Sequence, residues 1–169
     1  MELKAPSKRS HAHGPLQHGT LSTAARTVPV APAANAFVTL LEDIGSDRER
    51  AIAAIRAGFP AALIKDTGSY FAVPATRIRS ITGVAETTAH TLSKRGGRLD
   101  AGASERIWRL ADLLVMARDI FENDEAAKIW LRTPNRSFHD AAPMEYLDTE
   151  PGAISVRQVL NAIATGGVA

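Results

Sequence analysis

The stretch Pro74-Ala75-Thr76-Arg77-Ile78-Arg79-Ser80-Ile81-Thr82-Gly83-Val84-Ala85-Glu86-Thr87-Thr88-Ala89-His90-Thr91-Leu92 decides the fold. It reads as two short helices broken at Gly83. Pro74 suits the first position of a helix, where its missing N–H costs nothing. Ile78 and Ile81 fall on one face of that helix. Gly83 adopts positive φ without a Cβ penalty, as a tight turn requires. A second helix is predicted from about Ala85 to Lys94, ended by Gly96-Gly97. Ile78, Ile81, Val84, Ala89 and Leu92 lock the pair together, and Ala89 is small where the two approach most closely. This is the pattern of a helix-turn-helix. Thr87, Thr88, His90, Thr91 and Lys94 are left for the outer face. Short polar side chains suit a helix lying in the major groove. Arg95 and Arg98 at its far end suit phosphates. Ala85 stands where Ser or Thr would normally cap the second helix, which forgoes about 1 kcal/mol. The same stretch also fits an ordinary helical hairpin with a solvated polar face, and on these residues alone both readings stand.

Charge supports the first. Residues 74–98 hold Arg77, Arg79, Lys94, Arg95 and Arg98 against Glu86, a local excess of +4. Across all 169 residues, 20 Lys and Arg nearly balance 18 Asp and Glu. The balance is uneven along the chain: residues 1–35 carry +3, residues 36–100 carry +2 and residues 101–169 carry −3. One part is suited to an anionic partner and another to something different. An apolar content of 45% suffices for a core. No apolar run approaches the roughly 18 residues of a membrane span, so no membrane partner is expected. The absence of cysteine excludes disulfides, thiolate zinc sites and Cys nucleophiles, and fits a reducing compartment. Lys4, Lys8 and Arg9 are not followed by an apolar run, so no secretory signal is read and the cytoplasm is expected.

Outward from the central stretch the period stays helical. Residues 1–34, rich in Ala, Pro, Ser, Thr and His, read as a flexible tail. His11, His13 and His18 lack a fourth ligand, and a metal site there is set against a simple solvated tail. Phe37, Leu40, Leu41 and Ile44 predict a helix stopping at Gly45. Ser46 and Glu49 form a capping-box pair for the next, which turns Ala51, Ile52 and Ile55 inward and ends at Gly58. Pro60 is placed at the first position of a helix carrying Leu63 and Ile64. Asp100 caps a long helix over about 101–121. Its Ile107, Trp108, Leu110, Leu113, Leu114, Val115 and Met116 cover most of its circumference, the mark of a buried central helix. Asn123 or Asp124 opens a short helix ending in Trp130-Leu131, both read as core. An irregular stretch with Thr133-Pro134-Asn135 and Pro143 follows. The last helix runs from about Glu150 to Ala164 with a stripe of Val156, Val159, Leu160 and Ile163. The expectation is an all-α chain: tail 1–34, helix-turn-helix domain 35–100, small helical domain 101–169.

The ordered set Gly58-Phe59-Pro60, the helix-turn-helix, Ser104-Glu105-Arg106, Trp130-Leu131, Pro134-Asn135, Pro143…Leu147 and Gly166 resembles the Xre/MbcA/ParS family of antitoxins over about residues 46–169. The resemblance implies an N-terminal Xre-like DNA-binding domain that represses its own operon at operator DNA. It implies a C-terminal domain that binds and silences a RES-domain toxin, an ADP-ribosyltransferase-like protein that acts on NAD, either destroying it or using it to modify a protein. The family is not enzymatic, and neither cofactor nor metal is expected. Three places depart from the family pattern. Phe138-His139-Asp140-Ala141 replaces the usual Leu-Gly-Gly. Ala162 and Thr165 stand where an Arg and an aromatic are common. The toxin-binding residues expected here are Arg157, Leu160, Asn161, Ile163 and the Gly166 end. Arg157 and Asn161 lie off the apolar stripe, so they either contact the toxin or are merely solvated. His139-Asp140 has no nucleophile or phosphate loop beside it, and no catalytic residue is assigned. A homodimer is expected within a hetero-oligomeric toxin–antitoxin complex, because one helix-turn-helix reads only one half-site. The rival reading is a stand-alone regulator whose C-terminal half only dimerises.

Overall fold

The structure, a computed structural model, describes residues 35–44 and 48–167, which belong to one compact unit. The tail with its three histidines, the stop at Gly45 and the Ser46 half of the capping pair lie outside the described residues. The elements are α1 (Ala36–Ile44), α2 (Arg48–Ala57), α3 (Leu63–Phe71), α4 (Ala75–Thr82), α5 (Glu86–Lys94), α6 (Ala101–Phe121), α7 (Asp124–Arg132) and α8 (Glu150–Ala164). Two 3-10 turns, Arg136–Phe138 and Pro143–Asp148, lie between α7 and α8. Among the described residues the only β pairings are two isolated bridges, Pro60 with Arg98 and Asn135 with Ala141. The all-α expectation holds.

Helix α6 is the axis. The Asp100 carboxylate accepts from the Ala103 N–H at 2.7 Å, as its place before the apolar run predicts. Nine of the helix's side chains are buried, among them Ile107, Leu110, Leu113 and Leu114. It packs against α1, α2, α4, α7, α8 and the 143–148 turn, so both halves of the chain share one core.

The Ser104-Glu105-Arg106 triplet and Arg109 are the clasps of this arrangement. The buried Ser104 hydroxyl accepts from the Phe59 N–H at 2.8 Å and donates to the Asp100 carbonyl at 2.7 Å. Arg106 donates to the Thr82 carbonyl at the end of α4 and to the Asp148 carbonyl just before α8. Arg109, only 8% exposed, is held by both oxygens of Glu105, by Glu150 at 3.2 Å and by the Leu147 carbonyl. A guanidinium so surrounded spends its fixed fork of donors on fixed acceptors, which is what lets it be buried at all.

Four details differ from the sequence reading. Pro60 does not open a helix. Residues 59–61 run alongside 97–99, with Ala61 N–H bonded to the Gly97 carbonyl and Leu99 N–H to the Phe59 carbonyl. Helix α3 starts at Leu63 after Ala62. Pro74 is the extended N-cap residue of α4 rather than its first helical residue. Ile52 is 42% exposed, and α2 has no buried side chain; only Ala51 and Ile55 of its expected inner face are half-covered. Trp108 and Trp130 are half-buried at the edge of the core, Trp130 between the rings of Phe121 and Phe138. Leu131 is fully buried.

Tyr70 ties α3 to α7. Its ring packs on Phe37 and Phe71, its hydroxyl donates to the Asp124 carboxylate, and Lys128 sits over the ring. Burial, then the hydrogen bond to Asp124 and its charge, push the phenol above its ordinary range. Burial pushes Asp124 up, but hydrogen bonds from Tyr70 and Lys128 and the charges of Lys128 and Arg118 outweigh it and hold the carboxyl low. A depressed carboxyl contributes stability above about pH 4 that is lost as pH falls; a raised phenol contributes stability below about pH 10 that is lost as pH rises. Tyr70→Phe should therefore flatten both limbs of the stability–pH curve. Thermal melts from pH 3 to pH 11 check this, and superimposable curves for the variant and wild type would rule it out.

Candidate functional site

The turn between α4 and α5 is built as the sequence suggests. Gly83 sits at φ +72°, and the Val84 N–H bonds back to the Arg79 carbonyl at 3.1 Å. Ala85 is the N-cap of α5 and offers no side-chain acceptor. Ile78 and Ile81 are buried, and Val84, Ala89 and Leu92 pack on the core around them. That leaves Thr87, Thr88, His90, Thr91, Lys94, Arg95 and Arg98 all exposed.

The structure redistributes the local charge. Arg79 pairs with Glu86 across the turn at 3.2 Å. Arg77 pairs with Glu145 of the 143–148 turn at 3.2 Å. Arg98 donates to the Gly58 carbonyl at 2.6 Å, anchoring the clasp between residues 58–61 and 97–99 while keeping its charge. Lys94 and Arg95 have no ion-pair partner among the described residues. The uncompensated positive charge is therefore concentrated at residues 94–98, the far end of α5. Arg77 and Glu145 are too far apart in sequence for their pairing to be foreseen.

Helix α8 is the second surface. Thr149 caps it, its hydroxyl accepting from the Gly152 N–H. Gly152, Ala153, Val156 and Leu160 are buried, while Val159 and Ile163 are half-buried. Ile154, Arg157, Gln158 and Asn161 are exposed at spacings of three and four residues, so they share the outer face. The helix closes through Gly166 at φ +72°, with the Gly167 N–H bonded to the Ala162 carbonyl at 2.8 Å. One expected contact residue changes role. Leu160 is wholly enclosed by the chain's own core, so its side chain is not offered to a partner. Arg157 is exposed but engaged, pairing with Asp112 of α6 at 2.8 Å. Asn161 and Gly166 are exposed. Ile154, 47% exposed, is an apolar residue of the outer face that the stripe reading passed over. Its off-stripe position was the available signal.

His139 and Asp140 both lie at positive φ in an exposed turn. Among the described residues no group of three or more His, Cys, Asp or Glu side chains is placed to hold a metal ion, and no helix is long and apolar enough to cross a membrane.

These two surfaces fall in two known domain types. Residues 50–112 match the family model of the antitoxin Xre-like helix-turn-helix domain. Residues 116–166 match that of the antitoxin Xre/MbcA/ParS C-terminal toxin-binding domain. The chain belongs to the Xre/MbcA/ParS-type antitoxin family. Among its relatives is an Antitoxin Xre of Yersinia enterocolitica, 27% identical over 113 residues that cover 66% of this chain and 76% of the relative. An Antitoxin Xre of Pseudomonas putida is 34% identical over 73 residues, 43% of this chain and 46% of the relative. One from Photorhabdus laumondii is 34% identical over 71 residues, 41% and 48% of the two chains. The protein is thus an antitoxin of a toxin–antitoxin pair, with a DNA-binding helix-turn-helix and a toxin-binding domain, and not a member of a known enzyme family. The seven α5-end candidates lie inside the first matched segment, and the five α8 candidates inside the second. The boundary between the two segments, residues 113–115, falls within α6.

Proposed function

We propose that this antitoxin neutralises a RES-domain, NAD-using toxin by covering its active site, and represses its own operon through α4 and α5. In this reading residues 35–100 serve the DNA and residues 101–169 serve the toxin. Thr87, Thr88, His90 and Thr91 face bases while Lys94, Arg95 and Arg98 hold phosphates. Arg157, Asn161, Ile163 and the Gly166 turn lie nearest the toxin. Two antitoxin chains form a dimer inside the toxin–antitoxin complex, in the cytoplasm.

The observation that carries the reading is the outer face of α8. Within a domain of toxin-binding type, Ile154, Arg157, Gln158 and Asn161 remain open after the core is complete. The surrounding residues 101–169 carry −3, which suits the electropositive mouth expected of a pocket for a pyrophosphate. RES-type chemistry itself rests on the resemblance to the family.

The toxin role is tested by following the cellular NAD pool and growth while the RES-domain toxin encoded beside the antitoxin is expressed with and without the full antitoxin chain. Restored growth is expected, together with a restored NAD pool or the loss of ADP-ribosylated protein; arrested cells with a normal NAD pool and no ADP-ribosylated protein would overturn the NAD assignment.

The DNA role is tested by gel shifts on the native promoter. Lys94→Ala should weaken binding similarly across sequences and make the salt dependence shallower by about one unit of slope. Thr88→Ala should instead change which operator variants are preferred. Failure of the wild type to bind its promoter at low salt would remove the DNA role.

A further inference from the structure

We propose that the toxin's contact extends beyond the matched toxin-binding domain onto α2, with an apolar side chain of the toxin seated in a groove between α2, α6 and α8; this rests on the antitoxin reading above. The groove encloses about 370 Å³. Ile52 and Ile55 of α2 form one wall and Trp108 of α6 lines it. Glu105, Asp112 and Arg157 lie around them. Apolar side chains with an aromatic among them, bordered by charged ones, match the composition of a protein-binding surface.

Three observations make this groove a place for the toxin rather than a packing defect. Helix α2 is an apolar-faced helix with no buried side chain, and Ile52 stays 42% exposed although the helical period turns it inward. The burial that its sequence provides for is incomplete among the described residues. Trp108, a large aromatic, is only half-buried where it lines the groove, so part of its indole ring is open to a partner. The groove is also continuous with the toxin-binding domain. Arg157, which lines it, stands on the outer face of α8 between Ile154 and Asn161 and reaches over to Asp112 of α6. A partner lying along that face of α8 abuts the groove, and filling it adds apolar contact without displacing any core residue.

The test uses the full antitoxin chain and a catalytically inactivated form of the RES-domain toxin encoded beside it. Ile52→Glu places a charge at an already exposed position, so the thermal melt should stay within a few degrees of wild type. The toxin Kd should weaken at least tenfold, with promoter binding unchanged. Ile52→Ala, which adds no charge, should weaken it several-fold in the same direction and guards against a folding artefact. Wild-type toxin affinity in Ile52→Glu would overturn the proposal. So would a variant that loses self-association on light scattering but keeps its toxin affinity, because the occupant would then be a second copy of the chain. If wild type itself does not bind the toxin, the antitoxin–RES reading fails, an outcome distinct from failure of the groove alone.

Discussion

Gly152→Ala should unseat α8. Gly152 is the third residue of the helix and is buried. A Cβ built there would stand 1.9 Å from the Tyr146 carbonyl oxygen and 2.8 Å from its carbon. Both are backbone atoms, and that backbone is pinned. Arg109 holds the Leu147 carbonyl, Arg106 holds the Asp148 carbonyl, and the Tyr146 hydroxyl donates to the Phe138 carbonyl. The 143–148 turn therefore cannot retreat, and α8 must shift instead, drawing the Thr149 cap with it. Overpacking against fixed backbone should cost about 3 kcal/mol. For a chain of this size that lowers the melting temperature by about 10 °C. Toxin binding should weaken in parallel, since the outer face of α8 moves with its seat. Thermal denaturation of the purified variant checks this. A melt indistinguishable from wild type would mean that the two backbones are not held together as described.

Leu160→Ala should be comparably damaging, through the core rather than through the toxin. Leu160 is fully buried in the inner stripe with Val156, where α8 packs on α6 and the 143–148 turn. Deleting a buried Leu side chain costs about 3 kcal/mol, from lost burial and the cavity left behind. The variant should melt early yet bind toxin almost normally at low temperature, where it is still folded. Asn161→Ala, one residue on and exposed, should do the reverse: an unchanged melt and weaker toxin binding. A Leu160→Ala protein that melts like wild type but no longer binds toxin would return Leu160 to the interface.

The long helix 101–121 and the last helix 150–164 end where the sequence places them, because local chemistry sets their ends. Asp100 and Asn123 each accept a backbone N–H three residues on, and Gly83 makes the turn of the helix-turn-helix. The exposure of Thr87, Thr88, His90, Thr91 and Lys94 was also legible, since five polar residues on a helix locked by Ala89 and Leu92 leave one face outward. Long-range partners were not legible. Pro60 reads as a helix opener until its segment is seen running beside residues 97–99. Arg106 reads as one letter of a motif, and only the fold reveals that it joins the end of α4 to the start of α8. Periodicity marks which face of a helix is apolar but not how deeply each residue sinks. Leu160 is therefore enclosed where a contact was expected, and Ile52 is open where core was expected. The rival reading, a stand-alone regulator, leaves the toxin-binding character of residues 116–166 without a purpose.

The most direct test of the account is co-expression of the full antitoxin chain with its proposed RES-domain toxin, followed by purification through a tag on the toxin alone. The account predicts that cells keep growing and that the two proteins elute together as a stable complex. Growth arrest with the folded antitoxin eluting apart from the toxin would contradict it.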